Sequence, residues 1–127
     1  MADALERITN LIAMLLETYA GAFPLWIAPV QVVVLPIADR HAAYAAEVRD
    51  TLAGAGLRVE LDERQEKIGY KIREAQLQKV PYMLVIGDRE MAEGTVSVRS
   101  RAAGDQGPRA VTAFLDAALD EVGRKGH

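Results

Sequence analysis

Two residues of reciprocal chemistry stand near the middle of this chain. Glu90 lies just past an apolar run, and Arg99 lies inside an alternating one. A carboxylate held beyond a strand end can accept from the N1–H and N2–H₂ of an unpaired guanine, an edge that single-stranded RNA exposes. Arg99 and Arg101 fall on one side of an alternating segment, where guanidinium groups meet phosphates or base edges. Taken alone, Glu90 with Arg99 is more often a surface ion pair than a base reader. Tyr70 and Tyr82 offer rings on which bases can stack, although packing is the commoner use of such rings.

Catalytic chemistry is poorly represented. The sequence has no cysteine, and its two histidines are His41 and the terminal His127. Thiolate and disulfide chemistry are therefore excluded, and a histidine metal site is not expected. There is no GxGxxG, no GxxxxGK[ST] and no GxSxG, so the phosphate-cradling loops and the nucleophile elbow are missing. Asp62 and Glu63 sit at a strand end beside Arg64 and read as a solvated turn rather than an acid/base pair. His41 near Asp39 suggests a proton relay less than it suggests a helix start. No catalytic residue and no metal ligand are assigned.

The elements that carry these residues follow from hydrophobic spacing. Leu5, Ile8, Ile12, Leu15, Leu16 and Tyr19 share one side of a first helix over about Leu5–Tyr19, closed by Gly21 and Pro24. After an apolar connector, Leu25–Pro29, the run Gln31–Ile37 reads as a strand buried on both faces. Asp39 is positioned to N-cap a helix over about Arg40–Ala53. Leu57–Leu61 alternates as a half-exposed strand. A basic helix covers about Glu66–Lys79 and stops at Pro81, with Ile68, Ile72 and Ala75 on one face and Lys67, Lys71, Glu74 and Gln78 on another. Tyr82–Gly87 is a second buried strand, followed by a charged turn. Thr95–Arg101 alternates strictly. The Gly/Pro-rich loop Gly104–Pro108 has room for a short edge strand, and a last helix runs over about Arg109–Val122. Alternating β and α implies a parallel sheet covered on both faces, with right-handed crossovers. The two late strands make the sheet mixed. Ligands of such sheets lie beyond the C-terminal strand ends, here Pro36–Asp39, Asp62–Arg64 and Gly87–Glu90.

Composition agrees with one compact domain. The chain has 127 residues, half of them hydrophobic, and a net charge of −3, which argues against indiscriminate nucleic-acid binding. The charge is uneven: residues 1–57 carry three basic and six acidic groups, whereas 64–101 carry eight basic and five acidic. A local basic face suits RNA even in an acidic protein, although most such clusters are solvated surface. No stretch is long enough to span a bilayer. The N-terminus has Asp3 and Glu6 where a secretory signal would be basic, so a cytoplasmic location is expected.

The blocks AGLRVELDERQEKIGYKIREAQLQKVPYMLVIGDRE and GTVSVRSR, preceded by AGAFPLWIAPVQVVVLPI, resemble the C-terminal anticodon-binding domain of threonyl-tRNA synthetase, a class II aminoacyl-tRNA synthetase. The match spans nearly the whole chain. EKIGYKIRE and VPYMLVIGDRE are specific to it, whereas prolyl, histidyl and glycyl relatives share the fold without both blocks. The resemblance implies a three-layer α/β/α domain with a five-stranded mixed sheet over residues 25–127. Residues 1–24 would be a helix linking it to a catalytic core. It also implies binding of the threonine tRNA anticodon loop. In that family the Glu of the GD[KR]E turn and the Arg ending the following VxVR strand read anticodon bases; these are Glu90 and Arg99. A polar residue before the EK of the helix contributes, and here it is Gln65, where some members have Asn. Lys67, Lys71, Arg73, Lys79 and Arg101 are weaker candidates for holding the RNA backbone or orienting the loop.

The family's catalytic motifs have no counterpart in these residues. The reading is a recognition module of protein biosynthesis, not itself a ligase. ATP, magnesium and zinc would belong to the catalytic core, and no cofactor is assigned to this chain. The chain reads as a domain separated from that core or as a free-standing relative. The alternative is an accessory or regulatory protein-interaction domain of the same fold. In an intact synthetase the first helix would face the catalytic core; alone, it would fold back on the domain or pair with another copy.

Overall fold

The computed structural model describes residues 25–124. The helix expected over Leu5–Tyr19, and with it the linker assigned to residues 1–24, lies outside the described residues. The strands are β1 (Val32–Pro36), β2 (Val59–Leu61), β3 (Tyr82–Ile86), β4 (Thr95–Ser100) and β5 (Gly104–Ala110). The helices are α1 (Ala42–Gly54), α2 (Ile68–Leu77), α3 (Asp88–Glu93) and α4 (Val111–Arg124). Two 3-10 turns, Leu25–Ile27 and Asp39–His41, precede β1 and α1.

The sheet order is β2-β1-β3-β4-β5, with β1 parallel to β2 and β3, and β4 antiparallel to both β3 and β5. The mixed five-stranded sheet is as expected. The chain leaves β1 to one side through α1 and returns across it to β3 through α2. Crossovers of the same hand then require the two helices to lie on opposite faces, and they do. On one face Val32, Val34, Leu84, Ile86, Val96 and Val98 pack against Ala45, Val48 and Leu52 of α1 and Phe114 and Ala118 of α4. On the other, Val33, Leu35, Met83 and Val85 pack against Ala75 and Val80, with Ile68 and Ile72 half-buried above them. Every residue of β1 is buried, the pattern of a central strand covered on both sides. Among the described residues no helix is long and apolar enough to cross a membrane.

Two local expectations are corrected and a third is extended. Asp39 does not cap a helix with its side chain: Asp39–His41 form a 3-10 turn behind Ala38, and α1 begins at Ala42. The charged turn after β3 is a six-residue helix, α3, closed by Gly94 in the left-handed conformation. The Gly/Pro-rich stretch does hold the edge strand for which it had room, and that strand is longer than the loop bounds, Gly104–Ala110. Its pairing partners are supplied by β4, a non-local determinant that Gly/Pro-rich local sequence conceals.

The incoming segment is tied to the sheet by polar groups. Gln31 is buried; its Nε2 donates to the Leu25 carbonyl at 2.9 Å, and its Oε1 accepts from the Arg58 backbone N–H at 2.7 Å. The Arg58 guanidinium donates to the carbonyls of Ala28 and Trp26.

Candidate nucleic-acid interface

The two faces of the sheet are covered unequally. Among the described residues, α1 and α4 close one face, whereas α2 alone packs on the other. Along one flank of α2, Lys71, Glu74 and Gln78 line a groove against β2. The opposite flank, with Gly69, Arg73 and Gln76, therefore looks toward β3 and β4. Beyond it, Thr95, Ser97 and Arg99 of β4 are half-buried on this face, the Thr95 hydroxyl fully so, while Val96, Val98 and Ser100 are buried on the other side. Among the described residues, a strip of β4–β5 thus carries side chains without a helix over it, beside the α2-covered Met83 and Val85 of β3.

Glu90 stands at the upper end of this strip. Gly87 continues the alternation of β3 with an extended backbone, so a Cβ there would point to the α2 face. At that point the Ile37 Cδ1 would lie 2.8 Å away and the Glu90 Oε1 3.8 Å away. The absent side chain leaves room for Ile37 at the strand end, with the Glu90 carboxylate at ordinary contact distance beside it. Arg99 is on the same face but further down. It pairs with Met83, three residues before the end of β3 at Ile86, which is roughly 10 Å along a strand. Val85 and Ser97, paired with each other, lie between them. The pairing of β4 with β5 slips between Val98 and Arg99, and such irregularities re-aim side chains. The Arg99 guanidinium is about a third exposed and lies 3.9 Å from the Asp105 carboxylate.

The three C-terminal loops form an interlocked rim. The Gln65 Nε2 donates to the Asp39 Oδ2 at 3.2 Å, joining the β2 and β1 loops. Asp88 accepts two bonds from Arg40, at 2.7 and 2.8 Å, and one from His41 at 2.7 Å, joining the β3 and β1 loops. The His41 Nδ1 accepts from the Ala38 backbone N–H, so its Nε2 carries the proton given to Asp88. Gln65 and Glu90 therefore belong to one rim, while Arg99 sits on the sheet below it.

The basic residues divide. Lys67 and Arg73 are exposed, and among the described residues neither enters an ion pair. Arg101 is exposed, and its guanidinium donates to the Lys79 carbonyl at 2.9 Å. Lys79 itself adopts a left-handed φ of 57° where α2 ends, so its backbone serves as the helix stop. Lys71 departs from the expectation of a phosphate contact. It is 4% exposed, and its Nζ donates to the carbonyls of Pro36 at 3.2 Å and Asp62 at 3.1 Å. Its ammonium is turned inward, where it satisfies two carbonyls at the ends of β1 and β2. Of the tyrosines, Tyr82 packs edge-on against Phe114 and donates to Glu121 at 2.5 Å. Burial and Glu121 push its hydroxyl up to about 12. Tyr70 is half exposed, with the Arg64 guanidinium 5.9 Å from its ring centre.

The family model described as the anticodon binding domain matches residues 31–122. The chain belongs to the anticodon-binding domain family. It is 57% identical over 118 residues to the threonine–tRNA ligase of Caldanaerobacter subterraneus subsp. tengcongensis, covering 93% of this chain and 18% of that one. It is 58% identical over 118 residues to the threonine–tRNA ligase of Desulforamulus reducens, covering 93% of this chain and 19% of that one. The chain thus spans about a fifth of the length of these relatives. The crystal structure of the RNA binding domain of threonyl-tRNA synthetase from Cryptosporidium parvum Iowa II superimposes with a TM-score of 0.79 at 31% identity, covering 84% of this chain and 27% of that one. The resemblance to the threonyl enzyme's anticodon-binding domain, and the five-stranded α/β fold it implies, both hold.

Sequence reasoning missed the Arg40–His41–Asp88 cluster. Its members lie 47 and 48 residues apart, and no local pattern announces such a partnership. Asp88 is held well below the usual carboxylate range, first by the Arg40 hydrogen bonds and then by His41. Asp62 is lowered too, chiefly by its bond from Arg64 and against the opposing effect of burial. Both depressed values contribute stability that is present above the unfolded carboxylate range, near pH 4, and lost as pH falls through the folded values. A urea midpoint followed from pH 6 to pH 2 is expected to fall less steeply in Asp88→Asn than in the parent chain. Parallel curves would remove Asp88 from the acid response.

Proposed function

We propose that this domain binds the anticodon loop of threonine tRNA as the recognition module of a threonyl-tRNA synthetase, without itself catalysing aminoacylation. The observation that carries the reading is the strip of sheet on β4–β5 that no helix among the described residues covers, bounded by Glu90 at the rim and by Arg99 further down, in a chain of the anticodon-binding family. Unpaired bases need an open platform and groups that match their Watson–Crick edges. The strip supplies the first, and Glu90, Arg99 and Gln65 supply the second. The separation of Glu90 and Arg99 suits contacts to different bases of one loop. Lys67 and Arg73, with Arg101 at the lower edge, are suited to the phosphates. The catalytic core of the parent synthetase would be the partner that uses ATP, magnesium and zinc.

The reading is tested with an anticodon stem-loop transcript carrying a threonine anticodon and a second with one anticodon base changed. The threonine loop is expected to bind more tightly at matched salt. The log of its affinity should fall linearly with the log of salt concentration. Equal affinity for the two transcripts at every salt concentration would overturn the assignment.

A further inference from the structure

We infer that Asp88, clamped by Arg40 and His41, is a positioning residue for base discrimination, holding α3 so that Glu90 keeps its place over the sheet. This inference rests on the assignment of Glu90 as a base reader. The need for a clamp follows from α3 itself. It has six residues and buries none of them, so neither helix propagation nor apolar packing can orient it strongly. Glu90 lies in the first turn of that helix, on the third of its six residues.

Polar ties from the segment that follows β1 replace the missing packing. At the entry to α3, the Asp88 carboxylate receives the fork of Arg40 and the Nε2 of His41. A bidentate guanidinium–carboxylate pair fixes orientation as well as distance. His41 is 1% exposed, and its other nitrogen is held by the Ala38 backbone, so it is a rigid anchor rather than a mobile surface group. At the exit, the Tyr44 hydroxyl donates to the Thr95 carbonyl at 2.8 Å, where β4 begins. Three residues of one short stretch, Arg40, His41 and Tyr44, thus grip both ends of the helix that carries Glu90. The same stretch begins beside Asp39, the partner of Gln65. One loop therefore sets the places of two of the three assigned base-reading side chains.

The test measures discrimination, the ratio of affinities for the threonine stem-loop and its base-changed counterpart, with the full chain. Asp88→Ala is expected to reduce that ratio about tenfold. Arg40→Ala is expected to act in the same direction; it removes two of the three bonds from an exposed site and leaves the core untouched. In a Glu90→Ala background neither change should reduce the ratio further, because a residue acting through Glu90 has nothing left to position. A purely structural role would instead lower the affinity for both transcripts equally and leave the ratio intact. Full discrimination in both Asp88→Ala and Arg40→Ala overturns the inference while leaving Glu90 as the reader. Full discrimination in Glu90→Ala overturns both.

Discussion

Glu90→Ala is expected to erase most of the preference for a threonine anticodon loop over a base-changed loop, a loss of roughly one to two orders of magnitude in the affinity ratio. A carboxylate that accepts two donors from one base edge contributes about 1–3 kcal/mol of discrimination, because the wrong base leaves those acceptors facing a mismatched edge. The affinity for the changed loop should move far less, since the phosphate contacts are untouched. Arg99→Ala should lower discrimination as well, but together with overall affinity, because a guanidinium attracts phosphate as well as base edges. Stem-loop titrations at two salt concentrations separate these outcomes. Discrimination that survives in Glu90→Ala would remove the carboxylate from the site.

Lys71→Ala is expected to destabilise the fold by about 2–3 kcal/mol and to leave RNA affinity of the folded protein unchanged. Its Nζ serves the carbonyls of Pro36 and Asp62 in a buried position. Truncation leaves both acceptors without that donor and opens space beside the strand ends. Lys71→Met should cost less than the alanine variant, because the apolar stem is partly retained. Arg73→Ala, on the exposed flank of the same helix, should leave stability within about 0.5 kcal/mol and should weaken RNA binding with a shallower salt dependence. Urea unfolding of the three variants, with binding measured where each remains folded, checks the contrast. A Lys71→Ala protein as stable as the parent would overturn the buried-donor account.

Much of the molecule was legible from local pattern. The buried run at Val32–Pro36, the alternation at Thr95–Ser100 and the spacing of Ile68, Ile72 and Ala75 each report burial along a single element. Periodicity depends on near neighbours alone, so it survives in one dimension. The specific blocks around Glu90 and Arg99 carried the family as well. What periodicity could not distinguish was a lysine turned inward from one turned outward. Lys71 lies at the boundary between the apolar and polar faces of α2, and only the carbonyls of two separate strand ends draw it in.

The sequence alone determined the mixed α/β fold class, the family and the residue types suited to RNA. Tertiary structure decided that Lys71 is a structural donor, that Glu90 rides on an unburied helix, and that Arg99 lies opposite Met83 rather than beside the rim. The reason is physical. Strand register and the Asp88 clamp join residues far apart in the chain, and their partners are chosen by three-dimensional packing, which no local spacing encodes.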